Sequence, residues 1–588
     1  MGIPGFFKLI RKYNVIYDHE GNEVSRGMGG NIIKISIPEE HNGVATKQHL
    51  FLDFNGGIYT AYHKNNVKTE EALIVNVLGY LDTLVSIYPE LKTLYLAIDG
   101  VPPRAKIEQQ RTRRFHSTDE KNTIIKLNQK YGEAADKAVP ENQIDTNMIT
   151  PGTEFMDNLH KKLLHHFKTS PLYKNIHVIY SGYNVPLEGE HKILQYIKQR
   201  QWEPEDQVII YGLDADLIML SMASQINNIY LLREKTEYGN YSFDCEGHQF
   251  LYLDIDGVKS CVINDFEDFL GDIEMAEIPR FIDDYIFLCF ILGNDFIPHI
   301  PWLNIKNNGH DTILDAYFQV YNLYREFLVD SENGKINHML LFYLFDKLQE
   351  REDEEMVSYH KSRKKQRVRF HDTHTELERK IKVMQFYPLR HLDIEEKIEP
   401  TREGWRYRYY KTCMNITATE ENRDMVVQRY LESLVWTFRY YFKEIDSWSW
   451  FYPYHYGPTC KDICNFMNKM NTKDGFNGVK HVNQIKFFKS KPIKPQELLV
   501  MVLPYGSRRF MIANIQNQLI DPKSPISVYF PKKYQMSIPY HTFYWQCRPI
   551  LPIINCKTVV DTVKKTKMTK VEQNRNKLGT VYDSVNQN

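Results

Sequence analysis

Seven acidic residues recur just beyond apolar runs in this chain. Asp53 follows Leu-Phe-Leu, Asp99 follows Leu-Ala-Ile, and Asp214 and Asp216 follow Val-Ile-Ile-Tyr-Gly-Leu. Glu188 and Glu190 come soon after the run ending at Tyr180, and Asp295 follows an apolar helical stretch in Gly-Asn-Asp-Phe-Ile-Pro-His. In open α/β sheets ligands gather at the carboxyl ends of strands, so these acids are placed to converge on one rim. Clustered carboxylates repel one another unless cations neutralise them. Hard oxygen ligands suit Mg²⁺ or Mn²⁺. Two such ions about 4 Å apart can activate a water and stabilise the leaving oxygen of a phosphodiester. Taken singly, a strand-end Asp is more often a cap or turn residue, and Asp-x-Asp or Glu-x-Glu alone is weak. Seven at coordinated positions form a pattern.

The stretch that runs from Asp99 to Arg114 adds a second chemistry. Lys106, Gln110, Arg113 and Arg114 are spaced i, i+4, i+7 and i+8, which a helix places on one face. An ammonium, an amide and two guanidinium forks beside a metal site suit a terminal phosphate. Such a pocket demands a 5′-monophosphate and disfavours capped or triphosphate ends. A basic helix alone is usually a solvated face; its position directly after a candidate metal ligand favours function. No Gly-x-x-x-x-Gly-Lys-Ser/Thr loop is present, which excludes a P-loop ATPase.

These residues need a scaffold, and the first half supplies one. Short apolar strands at His49–Phe54, Thr93–Ile98, His177–Tyr180 and Gln207–Tyr211 alternate with helical patterns near Glu70–Tyr88, Glu154–Thr169, Glu190–Arg200 and Ile282–Leu292. That alternation predicts an α/β fold with a mostly parallel central sheet. Composition shifts abruptly at the charge blocks Arg351–Glu355 and Arg363–Arg369, which mark a solvated helix or linker, with a charged linker preferred to a nuclear localisation signal. The expected organisation is a nuclease segment over 1–349, a linker over 350–382, a second aromatic-rich segment over 383–556 and a basic, mobile tail over 557–588. The tail carries seven Lys/Arg against three Asp/Glu and could grip RNA weakly, although a frayed terminus is the simpler reading.

Across the 588 residues, Lys+Arg and Asp+Glu are equal at 74 each, so the distribution of charge must identify partners, not its sum. Eight cysteines without Cys-x-x-Cys exclude a secreted disulfide scaffold. The nearest pair, Cys460 and Cys464, reads as buried thiols ahead of a zinc site. The first residues lack a signal-peptide pattern, Gly2 lacks a myristoylation context, and the run Ile286–Leu292 is too short to span a bilayer. The expectation is a soluble intracellular protein, cytoplasmic in preference to nuclear.

Taken together, these segments resemble the Xrn-type 5′-to-3′ exoribonucleases. The matching blocks are Met1-Gly-Ile-Pro-Gly-Phe-Phe, Leu52-Asp-Phe-Asn-Gly56, the run from Ala97 through Phe115, Thr150-Pro-Gly-Thr-Glu-Phe-Met-Asp157, Glu188-Gly-Glu-His-Lys192, Asp214-Ala-Asp-Leu-Ile-Met-Leu220, Gly293–His299 and Trp448-Ser-Trp-Phe-Tyr-Pro-Tyr-His-Tyr456. The resemblance implies a flap-endonuclease or PIN-like nuclease core with a second, mainly helical segment packed on it. It implies Mg²⁺-dependent, processive release of nucleoside 5′-monophosphates from single-stranded RNA, with a monomer as the working unit and a role in RNA decay. Carried over by motif, Asp53, Asp99, Glu188, Glu190, Asp214, Asp216 and Asp295 become metal ligands, and Lys106, Gln110, Arg113 and Arg114 become the phosphate pocket. A Trp of the second segment is expected to stack on the first base, with Trp450 ahead of Trp448; the bland alternative, a core aromatic, holds for at least one of them. The family's stacking His is here Tyr59, and its usual Pro-Gly before Glu188 is Pro186-Leu187. The compact length and the Asn, Lys, Ile and Tyr usage are in keeping with an AT-rich viral genome.

Two other functions share some of these features. A DNA flap endonuclease would share the acids, but it needs neither the monophosphate helix nor the Trp-rich segment. A catalytically dead RNA-binding scaffold would have lost at least one carboxylate, and all seven stand.

Overall fold

The computed structural model describes residues 5–10, 16–17, 23–25, 32–64, 67–132, 144–212, 214–235, 249–370 and 373–585. Of the blocks behind the resemblance, residues 1–4 lie outside these. The described residues form an eight-stranded central sheet: β1 (Ile33–Lys34), β2 (Lys47–Asp53), β3 (Thr93–Ala97), β4 (His177–Ser181), β5 (Asp206–Tyr211), β6 (Ile229–Glu234), β7 (Phe250–Asp254) and β8 (Tyr582–Asp583). Their order across the sheet is β8-β4-β3-β2-β5-β6-β7-β1. The five inner strands β4, β3, β2, β5 and β6 run parallel; β8 pairs antiparallel with β4, β7 antiparallel with β6, and β1 antiparallel with β7.

The inner strands are apolar on both faces because helices cover both. In β2, Leu50 and Leu52 point into one core and Phe51 into the other. The Leu50 side is closed by α1 (Phe54–Lys64), α2 (Glu70–Ser86) and, after α3 (Arg104–Tyr131), by α4 (Glu154–Thr169). The Phe51 side is closed by α5 (Gly189–Gln199), α6 (Asp216–Ala223) and α7 (Ile278–Ile291). Leu341 and Leu344 of α8 (His338–Lys365) and Trp436 and Phe438 of α9 (Glu420–Phe442) belong to that same core. The first part of the second segment therefore extends the nuclease core, while Leu498–Leu503, Ile515 and Ile526 form a further cluster with Val101, Ile107, Val559 and Val563.

The strands and helices expected from periodicity are present, each within a few residues of its expected bounds, and α4 spans Glu154–Thr169 as read. Two expectations need correction. The charged stretch after residue 350 is not a linker: the 28-residue α8 runs through it to Lys365. Glu352 is fully buried, accepting from Arg406 Nη2 at 2.8 Å and from the Cys460 backbone N–H at 2.6 Å. Arg363, also buried, donates from Nε to Glu395 Oε2 at 3.0 Å and from Nη2 to the His541 carbonyl at 2.7 Å. These charges clamp later parts of the chain to α8.

Nor is the tail a loose end. It forms helices Cys556–Lys565 and Lys570–Arg575 and then β8, which pairs with β4. Val559 and Val563, four residues apart, make a buried stripe beneath the lysines. Cys460 and Cys464 are buried free thiols on the helix Cys460–Met470. Among the described residues, no helix is long and apolar enough to cross a membrane.

Removing one partner of a buried ion pair costs about 3–5 kcal/mol because the other charge stays desolvated. Arg363→Met should therefore lower the unfolding free energy by about that much in urea denaturation, and adding Glu395→Met should recover part of the loss. A loss below about 1 kcal/mol would show the clamp to be incidental.

Candidate active site

The sheet topology brings the acids together. From β2 the chain builds outward through β3 and β4 on one side, then crosses back to β5 on the other. The carboxyl ends of β2, β3 and β5 thus flank a topological switch point, and Asp53, Asp99 and Asp214 lie there. Glu188 is the residue before α5 and Glu190 lies in its first turn, while Asp216 opens α6. Asn55 holds Asp99 in both directions: its Nδ2 donates to Asp99 Oδ2 at 2.9 Å, and its Oδ1 accepts from the Asp99 N–H at 3.1 Å. The Gly189 N–H donates to Asp99 Oδ1 at 2.8 Å. Gly189 itself has no alternative, because a Cβ there would lie 2.3 Å from Asp53 Oδ1.

Lys106 stands inside the cluster. Its Nζ lies 2.6 Å from Glu188 Oε1, 2.9 Å from Asp295 Oδ2 and 4.0 Å from Glu190 Oε1. Burial works against this ammonium, yet Glu188, Asp295 and Glu190 together hold its pKa well above the ordinary lysine value. Lys192 acts on Asp99 and Asp53, and Arg113 on Asp295, yet among the described residues these cations do not balance seven acids. Burial, with Asp99, Asp214 and Glu188 adding to it, holds the Asp53 carboxyl well above its usual range. Burial, then Glu188, Asp216 and Asp53, does the same to Glu190 against the pull of Lys106. Asp216 is pushed up to about 7 by burial and by Asp295. Asp53 Oδ1 and Asp216 Oδ1 are buried with no hydrogen-bond partner among the described residues. An oxygen-rich donor set with excess negative charge and orphaned lone pairs fits a hard divalent cation. The imidazole of His191 also comes within 4.8 Å of the Glu188 and Glu190 oxygens. Burial, with Lys106 second, lowers its pKa to about 3, so it is neutral at physiological pH.

The loop before Glu188 shows how the departure at Leu187 is absorbed. Leu187 has φ of +93°, a conformation that L residues rarely adopt. Two backbone bonds impose it: the Gly100 N–H donates to the Leu187 carbonyl at 2.8 Å, and the Leu187 N–H to the Val101 carbonyl at 2.9 Å. The loop that delivers Glu188 thus holds a leucine in the left-handed region.

α3 carries the four phosphate-pocket candidates along the acids. Gln110 is buried beside Lys106's turn with its Oε1 unpartnered. Arg114 donates from Nη1 to Asn147 Oδ1 at 2.9 Å and lies within electrostatic reach of Tyr59 and Asp99. Arg113 is exposed and acts on Asp295 instead. Tyr59 is half-buried against the core on the α2 side. The opposite face of α3 is structural. Arg104 Nη2 donates to the Ile554 carbonyl at 3.1 Å, and Arg111 Nη2 to the Tyr529 carbonyl at 2.9 Å.

The second segment reaches the acids through Tyr440, whose hydroxyl donates to Glu188 Oε2 at 2.8 Å. Trp436 stacks on Tyr440 at 4.8 Å and on Trp450 at 5.4 Å, and Trp450 Nε1–H donates to Glu432 at 3.1 Å. Trp450 is therefore a buried ring in a supporting column. Trp448 is half-exposed, and its carbonyl accepts the N–H of Arg104, the first residue of α3, at 2.9 Å. Sequence reasoning missed Asn55, Tyr440, His191 and Lys192. Lys192 donates to the Ile98 and Gly182 carbonyls at 2.6 and 3.0 Å, tying together the ends of β3 and β4. Asn55, His191 and Lys192 sit within motifs that were recognised; for Tyr440 the sequence carries no local signal.

Two measurements test this site. Gly189→Ala should leave the protein folded and cut any metal-dependent activity by about 100-fold or more, since the added methyl displaces Asp53; activity within about threefold of wild type would overturn the packing argument. For the second, a carboxyl whose folded pKa is raised stabilises the fold only while protonated, and that contribution is lost as pH rises from 3.8 toward about 7. In chelator, the Tm of Asp216→Asn relative to wild type should therefore climb with pH across that window, and excess Mg²⁺ should reverse the order by favouring wild type. A difference independent of pH would contradict the crowded-charge account.

Comparison with known proteins agrees with this geometry. The family model described as the XRN 5′-3′ exonuclease N-terminus matches residues 1–235, and the Xrn1 helical domain matches residues 275–390 and 387–582. The two models part between residues 235 and 275, well before the shift in composition near 350. A 5′-3′ exoribonuclease 2 homolog of Drosophila melanogaster is 28% identical over 99% of this chain and 73% of its own length. The 5′-3′ exoribonuclease 2 of Arabidopsis thaliana is 27% identical over 98% of this chain and 68% of its own, and the human 5′-3′ exoribonuclease 1 is 28% identical over 98% of this chain and 35% of its own. With both models covering most of its length, the chain belongs to the XRN family of 5′-3′ exonucleases.

Proposed function

We propose that this chain, by family a 5′-to-3′ exoribonuclease of RNA decay, removes nucleoside 5′-monophosphates processively from single-stranded RNA that begins with a 5′-monophosphate, and that it acts as a monomer. The observation that carries the reading is the placement of α3. One helix inserts Lys106 among the acids and sets Gln110 and Arg114 a turn or two further along, which supports a terminal phosphate held at a fixed distance from the reacting centre.

Nucleases of this family depend on a metal, and the donor set here fits one. We assign two Mg²⁺ ions, replaceable by Mn²⁺, to Asp53, Asp99, Glu188, Glu190, Asp214, Asp216 and Asp295. Bound there, they supply an activated water and charge stabilisation at the departing oxygen. The protein's own groups orient the substrate. Arg113 and Arg114 offer guanidinium forks to the 5′-phosphate, and Gln110 offers its amide. Because Trp450 is sealed in its column, we assign base stacking to Trp448, with Tyr59 as the second ring. Tyr440 holds Glu188 by its hydrogen bond and acts as a positioning residue. The relatives do not favour cytoplasm over nucleus, so the cytoplasmic expectation is not carried forward.

Asp216→Ala should abolish cleavage while sparing binding of a 5′-monophosphorylated oligoribonucleotide in a filter or anisotropy assay; retained turnover would break the ligand assignment. Arg113→Ala with Arg114→Ala should reduce the preference for 5′-monophosphate over 5′-hydroxyl RNA by at least about tenfold, and an unchanged ratio would remove the phosphate pocket from the account.

A further inference from the structure

On the side of α3 that carries Gln109, Thr112 and His116, the chain encloses a cavity of about 590 Å³. Its other walls are the loop 292–301 after α7 and the segment 540–553. Asp295 and Arg113 line it, so the cavity shares a wall with the carboxylate cluster while lying outside it.

Arg548 is one of five cationic side chains that line this chamber, with Arg111, Arg113, Lys306 and Arg363. It acts on His299, His455 and His541, so its guanidinium stands among three imidazoles. The carboxylate within its electrostatic reach is Asp295, which is already paired with Lys106 at 2.9 Å. Among the described residues, Arg548 forms no ion pair of its own. A desolvated guanidinium without an anion is costly, and a phosphate fits its fork. Burial lowers the pKa of all three imidazoles, His455 to about 4, so they serve as neutral hydrogen-bonding groups. His299 Nδ1 donates to the Ile300 carbonyl at 2.6 Å, which leaves its Nε2 as an acceptor for a hydroxyl. Trp545, 56% exposed, offers a ring face on the chamber wall.

We propose that this chamber binds a nucleoside 5′-monophosphate, with its phosphate on Arg548, a ribose hydroxyl on His299 and its base against Trp545, and so receives the nucleotide released at the acids. The inference rests on the reading of the chain as a producer of mononucleotides. The volume falls within the roughly 300–1,000 Å³ of sites for single small ligands.

Calorimetry on the full chain in chelator, with AMP as the probe, tests it. Wild type should bind two AMP per chain, one in the phosphate pocket and one in the chamber. Arg548→Gln should weaken one site by at least about tenfold, and Gln110→Ala with Arg114→Ala should weaken only the other. Trp545→Ala, at an exposed ring that folding does not need, should weaken the chamber site about threefold. A single AMP site lost in the Gln110/Arg114 variant and untouched by Arg548→Gln and Trp545→Ala would overturn the chamber. So would an Arg548→Gln variant whose affinity for 5′-monophosphorylated RNA falls as far as its affinity for AMP, since Arg548 would then line the RNA path. Either result alongside mononucleotide production from RNA overturns the chamber alone; absence of mononucleotide products overturns the functional reading beneath it.

Discussion

The structure depends on holding seven carboxylates together, three of them around the Lys106 ammonium. Lys106 lies 2.6 and 2.9 Å from Glu188 and Asp295, and the remaining charge is left uncompensated in a buried place. Such a cluster cannot be stable on its own terms, and the elements around it are arranged to tolerate it. The switch point of the sheet aims three strand ends at one spot. Asn55, the Gly189 N–H and the Tyr440 hydroxyl fix individual oxygens. The strain at Leu187 is accepted because two backbone bonds over-determine the loop that delivers Glu188. A divalent cation binding this set relieves repulsion that the fold already carries.

The same constraint explains why the second segment shares the nuclease core. Tyr440 can orient Glu188 only if α9 is rigid at that point, and its ring is backed by Trp436 and then Trp450. α9 in turn packs in the core that the Phe51 side of the sheet shares with α8. Buried pairs at Glu352 and Arg363 clamp later chain onto α8. Arg104 and Arg111 do the equivalent work for the C-terminal segment from the back of α3. One helix thus presents Lys106, Gln110 and Arg114 on the side of the acids and architectural guanidiniums on the other.

Much of this could be read from the sequence. The inner strands announced themselves by apolar runs, and the acids by their place after those runs, because both signals are local. Helical spacing put Lys106, Gln110, Arg113 and Arg114 on one face; Lys106 and Gln110 are buried there, while Arg113 is exposed. What could not be read depended on partners far along the chain. Tyr440 meets Glu188 across 252 residues. The charges at Glu352 and Arg363 looked like a solvated linker because their partners, Arg406 and Glu395, lie outside the local composition. The tail looked loose because two valines beneath many lysines make a weak apolar signal, and a two-residue strand makes none. Trp450 and Trp448 share one motif, and only packing tells a sealed ring from an accessible one.

The most direct measurement of the central claim is cleavage, with Mg²⁺, of a single RNA sequence prepared with 5′-monophosphate, 5′-triphosphate and 5′-hydroxyl ends and labelled at its 3′ terminus. The account predicts mononucleotides and a progressively shortened 3′-labelled remainder from the monophosphate RNA, with the other two resisting. Internal cuts, or equal attack on all three ends, would contradict it.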